Sequence, residues 1–196
     1  MTHRSFLTFG LGLALVISSE ACADSFPIVP PQPKLFSSEY GSYAFKTLPD
    51  AGSVGYRARH LIGNSEGVFF TLDEHAKETV IWRAKLVNIP SRAIVAENGK
   101  YVITLDSWLS VGFDHCLVVY GETGKVIADF KLEDLLTAKE IEGLPQIVTQ
   151  RGWSEKGIAE FEDHSREEDQ FVIRMKYKSW TKVIRLSLSS GRIVKE

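Results

Sequence analysis

Ile94-Val95-Ala96-Glu97-Asn98-Gly99-Lys100-Tyr101-Val102-Ile103-Thr104-Leu105 is the stretch that decides the fold class. Two runs rich in β-branched and aromatic side chains flank Asn98-Gly99, a dipeptide that accepts positive φ at both central positions of a tight hairpin turn. A β-hairpin is predicted there. Further along, polar and apolar residues alternate with period two, which segregates them onto the two faces of a strand. Val80, Trp82, Ala84 and Leu86 alternate with Ile81, Arg83 and Lys85. Val126, Ala128, Phe130 and Leu132 alternate with Ile127, Asp129 and Lys131. Phe171, Ile173, Met175 and Tyr177 alternate with Val172, Arg174, Lys176 and Lys178. Glu122-Thr123-Gly124 and Ser189-Ser190-Gly191 separate other strand-like runs and have turn composition. One segment reads as helix: Thr137-Ala138-Lys139-Glu140 has the capping-box pattern, and Gly143 and Pro145 stop it. The expected fold is therefore all-β, an antiparallel meander of hairpins with one short peripheral helix near 132–143.

The composition agrees with a packed core. The chain has 196 residues, 44% hydrophobic and 24% charged, with 2 cysteines, which excludes intrinsic disorder, collagen and a dense disulfide scaffold. With 23 basic and 25 acidic residues the net charge is -2, so the strong basic field needed for general nucleic-acid binding is missing. The beginning reads as a secretory signal over residues 1–23: Arg4, an apolar run from Phe6 to Ile17, then Ala21-Cys22-Ala23. That run is shorter than the ~20 residues a membrane-spanning helix needs. No transmembrane segment is expected after cleavage behind Ala23. Lipid attachment at Cys22 is disfavoured because Ser19 stands where an aliphatic residue is usual. The expected location is periplasmic or extracellular. Pro27, Pro30, Pro31 and Pro33 come next, and proline favours extended backbone, so residues 24–40 read as a leader and 41–196 as a single β domain. Cys116 is then the remaining cysteine, and its neighbours Leu117-Val118-Val119 mark it as a small buried hydrophobe.

Two stretches look repeated. Gly67 to Asp73 is similar to Gly99 to Asp106, and Leu117 to Ile127 is similar to Ile184 to Val194 around a Thr/Ser-Gly-Lys/Arg turn. A strand, that turn and a second strand resemble the outer hairpin of a β-propeller blade, as in quinoprotein-like and WD-like repeats. The resemblance covers residues 67–132 and 171–195. It implies blade-like hairpins in a partial or open propeller-like sheet, because blades of ~40–45 residues and a ring of about four do not fit after residue 40. The WD dipeptide and the quinoprotein Trp-Gly signature are absent, so the resemblance implies no cofactor. The chain also resembles exported bacterial proteins that pair a strand ending in Asp with a Trp-bearing loop and a Gly-Lys hairpin, which implies location and fold.

The segment Leu105 to Cys116 stands out for chemistry. It joins two strands through a loop longer than the two to five residues a hairpin needs, and such rim loops often carry function. Asp106, Asp114 and His115 supply carboxylates and an imidazole, and Trp108 and Phe113 supply apolar anchors. A carboxylate beside an imidazole can hold a metal or act as a base. Asp73-Glu74-His75 repeats the acid-histidine theme, so Asp73, His75, Asp106 and His115 would share one rim if their strands were equivalent. Motifs for a nucleophile or a phosphate loop are absent. Residues 171–196 carry seven basic side chains and the single acid Glu196, and Arg174, Lys176 and Lys178 share one strand face. The simplest reading of this strip is a solvated face opposite the acidic stretch 160–169. The sequence thus favours an exported, non-catalytic binding or assembly module that uses the loop 106–115 to hold a protein or an envelope polysaccharide. A metal-assisted hydrolase with an Asp/His rim site is the alternative. Oligomeric state, and closure of the sheet by another chain, are left open.

Overall fold

The computed structural model describes residues 31–50, 55–57, 60–62, 65–108, 110–147, 150–155, 158–166, 168–178 and 180–194. The expected signal segment and residues 24–30 of the leader lie outside the described residues. In chain order the strands begin with β1 (Lys34–Ser37), β2 (Tyr43–Pro49), β3 (Gly55–Arg57), β4 (His60–Ile62), β5 (Ser65–Leu72) and β6 (Glu78–Leu86). Next are β7 (Pro90–Val95), β8 (Val102–Ser107), β9 (Leu117–Tyr120) and β10 (Val126–Phe130). Helices α1 (Leu132–Leu135) and α2 (Ala138–Gly143) lead into the short pair β11 (Gln146–Ile147) and β12 (Gln150–Arg151). Last come β13 (Ala159–His164), β14 (Gln170–Tyr177), β15 (Trp180–Ser187) and β16 (Arg192–Val194).

These strands form three four-stranded antiparallel meanders. Their orders are β1-β2-β5-β6, β7-β8-β9-β10 and β13-β14-β15-β16, with β3-β4 and β11-β12 as small two-stranded additions. The all-β meander read from the sequence is therefore the fold. It begins earlier than expected, because β1 falls inside the leader stretch and pairs in register with β2 from Lys34↔Thr47 to Ser37↔Ala44. Pro33 fixes its own φ at a value compatible with extended backbone immediately before this edge strand.

The middle sheet is packed on both faces. Val102, Val118 and Tyr120 join Phe45, Phe69 and Trp82 of the first sheet in one core. Ile103, Leu105, Leu117 and Val119 join Phe171, Ile173, Met175 and Leu186 of the third sheet in another. This is why every residue of β8 and β9 is buried, the polar Thr104 included: neighbours pointing to opposite faces both meet protein. The outer sheets alternate only in part. In β14, Phe171, Ile173 and Met175 are buried while Arg174 and Lys176 are exposed, but Val172 is buried too, and β5 buries Val68, Phe69 and Phe70 in succession.

Several local expectations need correction. At Asn98-Gly99 only the glycine takes positive φ, at +68°. The Gly99 N–H donates to Ala96 O at 3.0 Å and the Ala96 N–H to Tyr101 O at 3.1 Å, so the turn closes over residues 96–99 and the left-handed position falls on its fourth residue. Gly41 repeats this arrangement, with φ +75° and the bond from its N–H to Ser38 O. The matching sequences Glu39-Tyr40-Gly41-Ser42-Tyr43 and Glu97-Asn98-Gly99-Lys100-Tyr101 thus occupy the same turn in the first and second sheets. Of the two repeats expected, Leu117–Ile127 and Ile184–Val194 do hold equivalent third and fourth strands, whereas β5 and β8 are third and second strands of their sheets.

Val80 and Val126 are exposed rather than buried, at 45% and 43%. Each lies beside a bulge: Phe69 and Phe70 pair with Trp82 and Val80, stepping over Ile81, and Val119 and Tyr120 pair with Ala128 and Val126, stepping over Ile127. An extra residue reverses the facing of the strand on one side of it relative to the other. Ala128 and Phe130 still pack against the core. The helix is broken into two. The Thr137 capping box holds at α2, where Glu140 Oε2 accepts the Thr137 N–H at 2.7 Å. Nor is this region peripheral, since Leu132, Leu135, Leu136 and Ile141 are buried in the core between the second and third sheets.

Candidate functional site

Asp106, the penultimate residue of β8, has a left-handed φ of +56°, a conformation that Asp tolerates better than most residues. The turn swings its carboxylate inward, where the residue is 1% exposed. Oδ1 accepts the Gly112 N–H at 2.8 Å and the Trp153 Nε1–H at 2.7 Å. Oδ2 accepts the Ser154 hydroxyl at 2.6 Å. One carboxylate thereby ties the loop 107–116 to the segment that enters the third sheet. Burial raises the Asp106 pKa above its ordinary value, and the three hydrogen bonds offset that only in part. Trp153 is itself 0% exposed, so Asp106 is a buried tie and not a ligand-facing acid.

The other loop residues are also engaged. His115, with φ +58°, places Nδ1 2.7 Å from Asp129 Oδ2 on β10 and does not meet Asp106 as the spacing suggested. The Asp129 hydrogen bond raises the His115 pKa, and burial offsets part of that rise. Asp114 Oδ1 lies 3.1 Å from Lys131 Nζ. Phe113 sits under the Arg151 guanidinium at 4.5 Å, and Arg151 Nη1 reaches Glu133 Oε1 at 2.6 Å. Trp108 is half-buried, its backbone N–H donating to Ile89 O at 2.7 Å. Buried Asn88 steadies the base of the loop through Nδ2, which donates to Ser107 Oγ at 3.0 Å and to Asp106 O at 3.3 Å.

Asp73 and His75 belong elsewhere. Asp73 Oδ1 caps its own turn, accepting the His75 and Lys77 N–H groups at 2.9 and 2.8 Å. That turn joins β5 to β6 at the end of the first sheet that carries residues 38–42, since the Leu72 N–H donates to Ser42 O. Tyr40 of this end meets Glu97 in the turn between β7 and β8, whereas the loop 107–116 leaves β8 at its opposite end. The four-residue Asp/His cluster is therefore not assembled. Among the described residues no three His, Cys, Asp or Glu side chains group so as to hold a metal ion. The basic strip is partly neutralised: Arg174 Nε meets Glu162 Oε1 at 2.5 Å and Lys182 Nζ meets Glu140 Oε2 at 2.8 Å.

Trp153, Ser154, Asn88 and Asp129 are the site residues that sequence reasoning missed. Trp153 is 47 positions from Asp106, and no local spacing signals the pair. Fold and site together define an all-β scaffold of three meanders with one pinned rim loop. Comparison with known protein families, with curated proteins and with solved structures gives no match.

The His115–Asp129 pair has a direct test. His115 gains from a raised pKa, so its contribution to stability is full below the unfolded-chain value of about 6.5 and is lost as pH rises through the folded value. In Asp129→Asn, the imidazole should titrate lower than in the parent protein when followed by NMR. An identical titration midpoint would contradict the pairing.

Proposed function

We propose that the protein is an exported binding or assembly module without catalysis of its own, built on three blade-like meanders in an open, propeller-like succession. Its contact surface is the loop 106–115, and its partner is a protein. The pinning of this loop by Asp106 is the observation that carries the reading. A long loop held by three hydrogen bonds to one buried carboxylate is preorganised, which lowers the entropy lost on binding. The loop offers two half-buried aromatic residues, Trp108 and Phe113, with Arg151 and its ion-pair partner Glu133 at Phe113 and the Asp114–Lys131 pair next along the chain. An aromatic centre with a charged rim is the usual anatomy of a protein interface. The acid and imidazole groups that a hydrolase would use are instead taken up by Gly112, Trp153, Ser154 and Asp129. No observation favours the metal-assisted alternative.

A photo-crosslinking amino acid at position 108 tests this in cells. A discrete protein adduct is expected from position 108 and not from position 75 at the opposite end of the sheets. With that partner purified, Trp108→Ala should weaken binding by about tenfold or more, the scale of an aromatic anchor, with unchanged melting. The reading fails if position 108 gives no protein adduct, or if the alanine variant binds as tightly as the parent.

A further inference from the structure

All three sheets come together at the end away from the loop 107–116. There β1, β7 and β13, the first strand of each sheet, border a cavity of about 320 Å³ lined by Ser37, Glu39, Arg92, Glu97, Phe161 and Asp163 among others. That volume lies at the small end of the ~300–1,000 Å³ typical of small-molecule sites. Glu97 is the pivot. Its Oε1 accepts the backbone N–H groups of Glu39 and Tyr40 from the first sheet. Its own N–H donates to Asp163 Oδ2 of the third sheet at 2.8 Å, and neighbouring Asn98 Nδ2 donates to Ser165 O at 3.0 Å.

One atom of this junction is left over. The Glu97 side chain is 8% exposed, yet its Oε2 accepts no hydrogen bond. A buried polar atom without a hydrogen bond carries a desolvation penalty, offset at Glu97 Oε2 in part by one long ion pair. The nearest cation is Arg166, whose Nη2 stands 3.7 Å away, beyond hydrogen-bond range. Arg166 is held from outside, its guanidinium 4.6 Å from the ring centroid of exposed Tyr40. Its side chain is 57% exposed, so displacing it uncovers little that was buried.

The cavity's lining leans negative. Glu39, Glu97 and Asp163 face one cation, Arg92, which is stacked on Phe161 at 5.0 Å. These carboxylates do not form a metal-binding group. Spread acids around a partly apolar pocket instead suit an extended organic cation that can stack and donate hydrogen bonds. We propose that this cavity binds a guanidinium or primary ammonium group, which donates to Glu97 Oε2 in the place that Arg166 approaches without filling.

Agmatine, which carries both groups and no carboxylate, is the probe. Calorimetric titration of the full chain should show saturable binding, weakened by added salt. Glu97→Gln keeps an oxygen for the Glu39 and Tyr40 N–H groups but removes the charge, and should weaken agmatine at least tenfold, as expected when one partner of a buried charge pair is lost. Arg166→Ala removes the resident competitor and should bind agmatine several-fold more tightly; it decides the matter even if Glu97→Gln fails to fold. Absence of saturable binding, equal affinity in folded Glu97→Gln, or unchanged or weaker binding in Arg166→Ala each overturns the proposal. The site shares no residue with the loop 106–115, so its failure leaves the protein-binding reading standing.

Discussion

Replacing Asp106 with alanine should destabilise the protein by about 3–5 kcal/mol, the range of substitutions that break a buried hydrogen-bonded network. Three donors lose their acceptor at once: the Trp153 indole N–H, the Gly112 N–H and the Ser154 hydroxyl. Hydrogen bonds to a charged group contribute roughly 1.5–3 kcal/mol each, and relief of the carboxylate's own desolvation offsets part of the sum. Alanine must also hold φ at +56°, where its Cβ is strained and Asp is better accommodated. Asp106→Asn keeps the backbone preference and one acceptor oxygen but turns an NH₂ toward a donor, so it should lose about half as much. Urea unfolding of the three proteins measures this. An alanine variant within about 1 kcal/mol of the parent would refute the buried tie.

The same residue has a pH signature. Burial raises the Asp106 pKa above 3.8, so the folded protein holds this proton more tightly than the unfolded chain. Its contribution is therefore fullest below 3.8 and declines as pH rises through the folded value. The stability gap between the parent and Asp106→Asn should narrow as pH rises through that window, since asparagine does not titrate.

Much of the scaffold can be read from residue types, and its failures have physical causes. β14 alternates only from Ile173 onward, where Arg174 and Lys176 are exposed between buried Ile173 and Met175, whereas Val172, which strict alternation puts on the wet face, is buried. The bulges at Ile81 and Ile127 escape a period-two reading, because an inserted residue changes the facing without changing composition. Gly99 marks its turn correctly, but its exact position within the turn depends on which backbone groups bond, and Asn98-Gly99 alone does not say. The site is less legible. The loop that holds Trp108 and Phe113 stands out in the sequence, yet His115 pairs with Asp129 across the sheet and not with the acids near it in sequence. The Asp106 tie is a long-range contact with the chain beyond two helices, set by packing and not by spacing. The Glu-x-Gly-x-Tyr pair at 39–43 and 97–101 carries a signal that the expected repeats overlooked.

The burial of the middle sheet on both faces is the claim on which the remainder depends, and adjacent residues of β9 test it most directly. Val118 faces the core shared with the first sheet and Val119 the core shared with the third, and both are 0% exposed. A sheet covered on one side alone would leave one of the two in water. Val118→Asp and Val119→Asp should each lower the free energy of urea unfolding by more than about 3 kcal/mol, because each strands a carboxylate in an apolar core. Should either protein unfold within about 0.5 kcal/mol of the parent, as substitutions at wet surface positions do, one face of the sheet is open and the three-sheet stack is wrong.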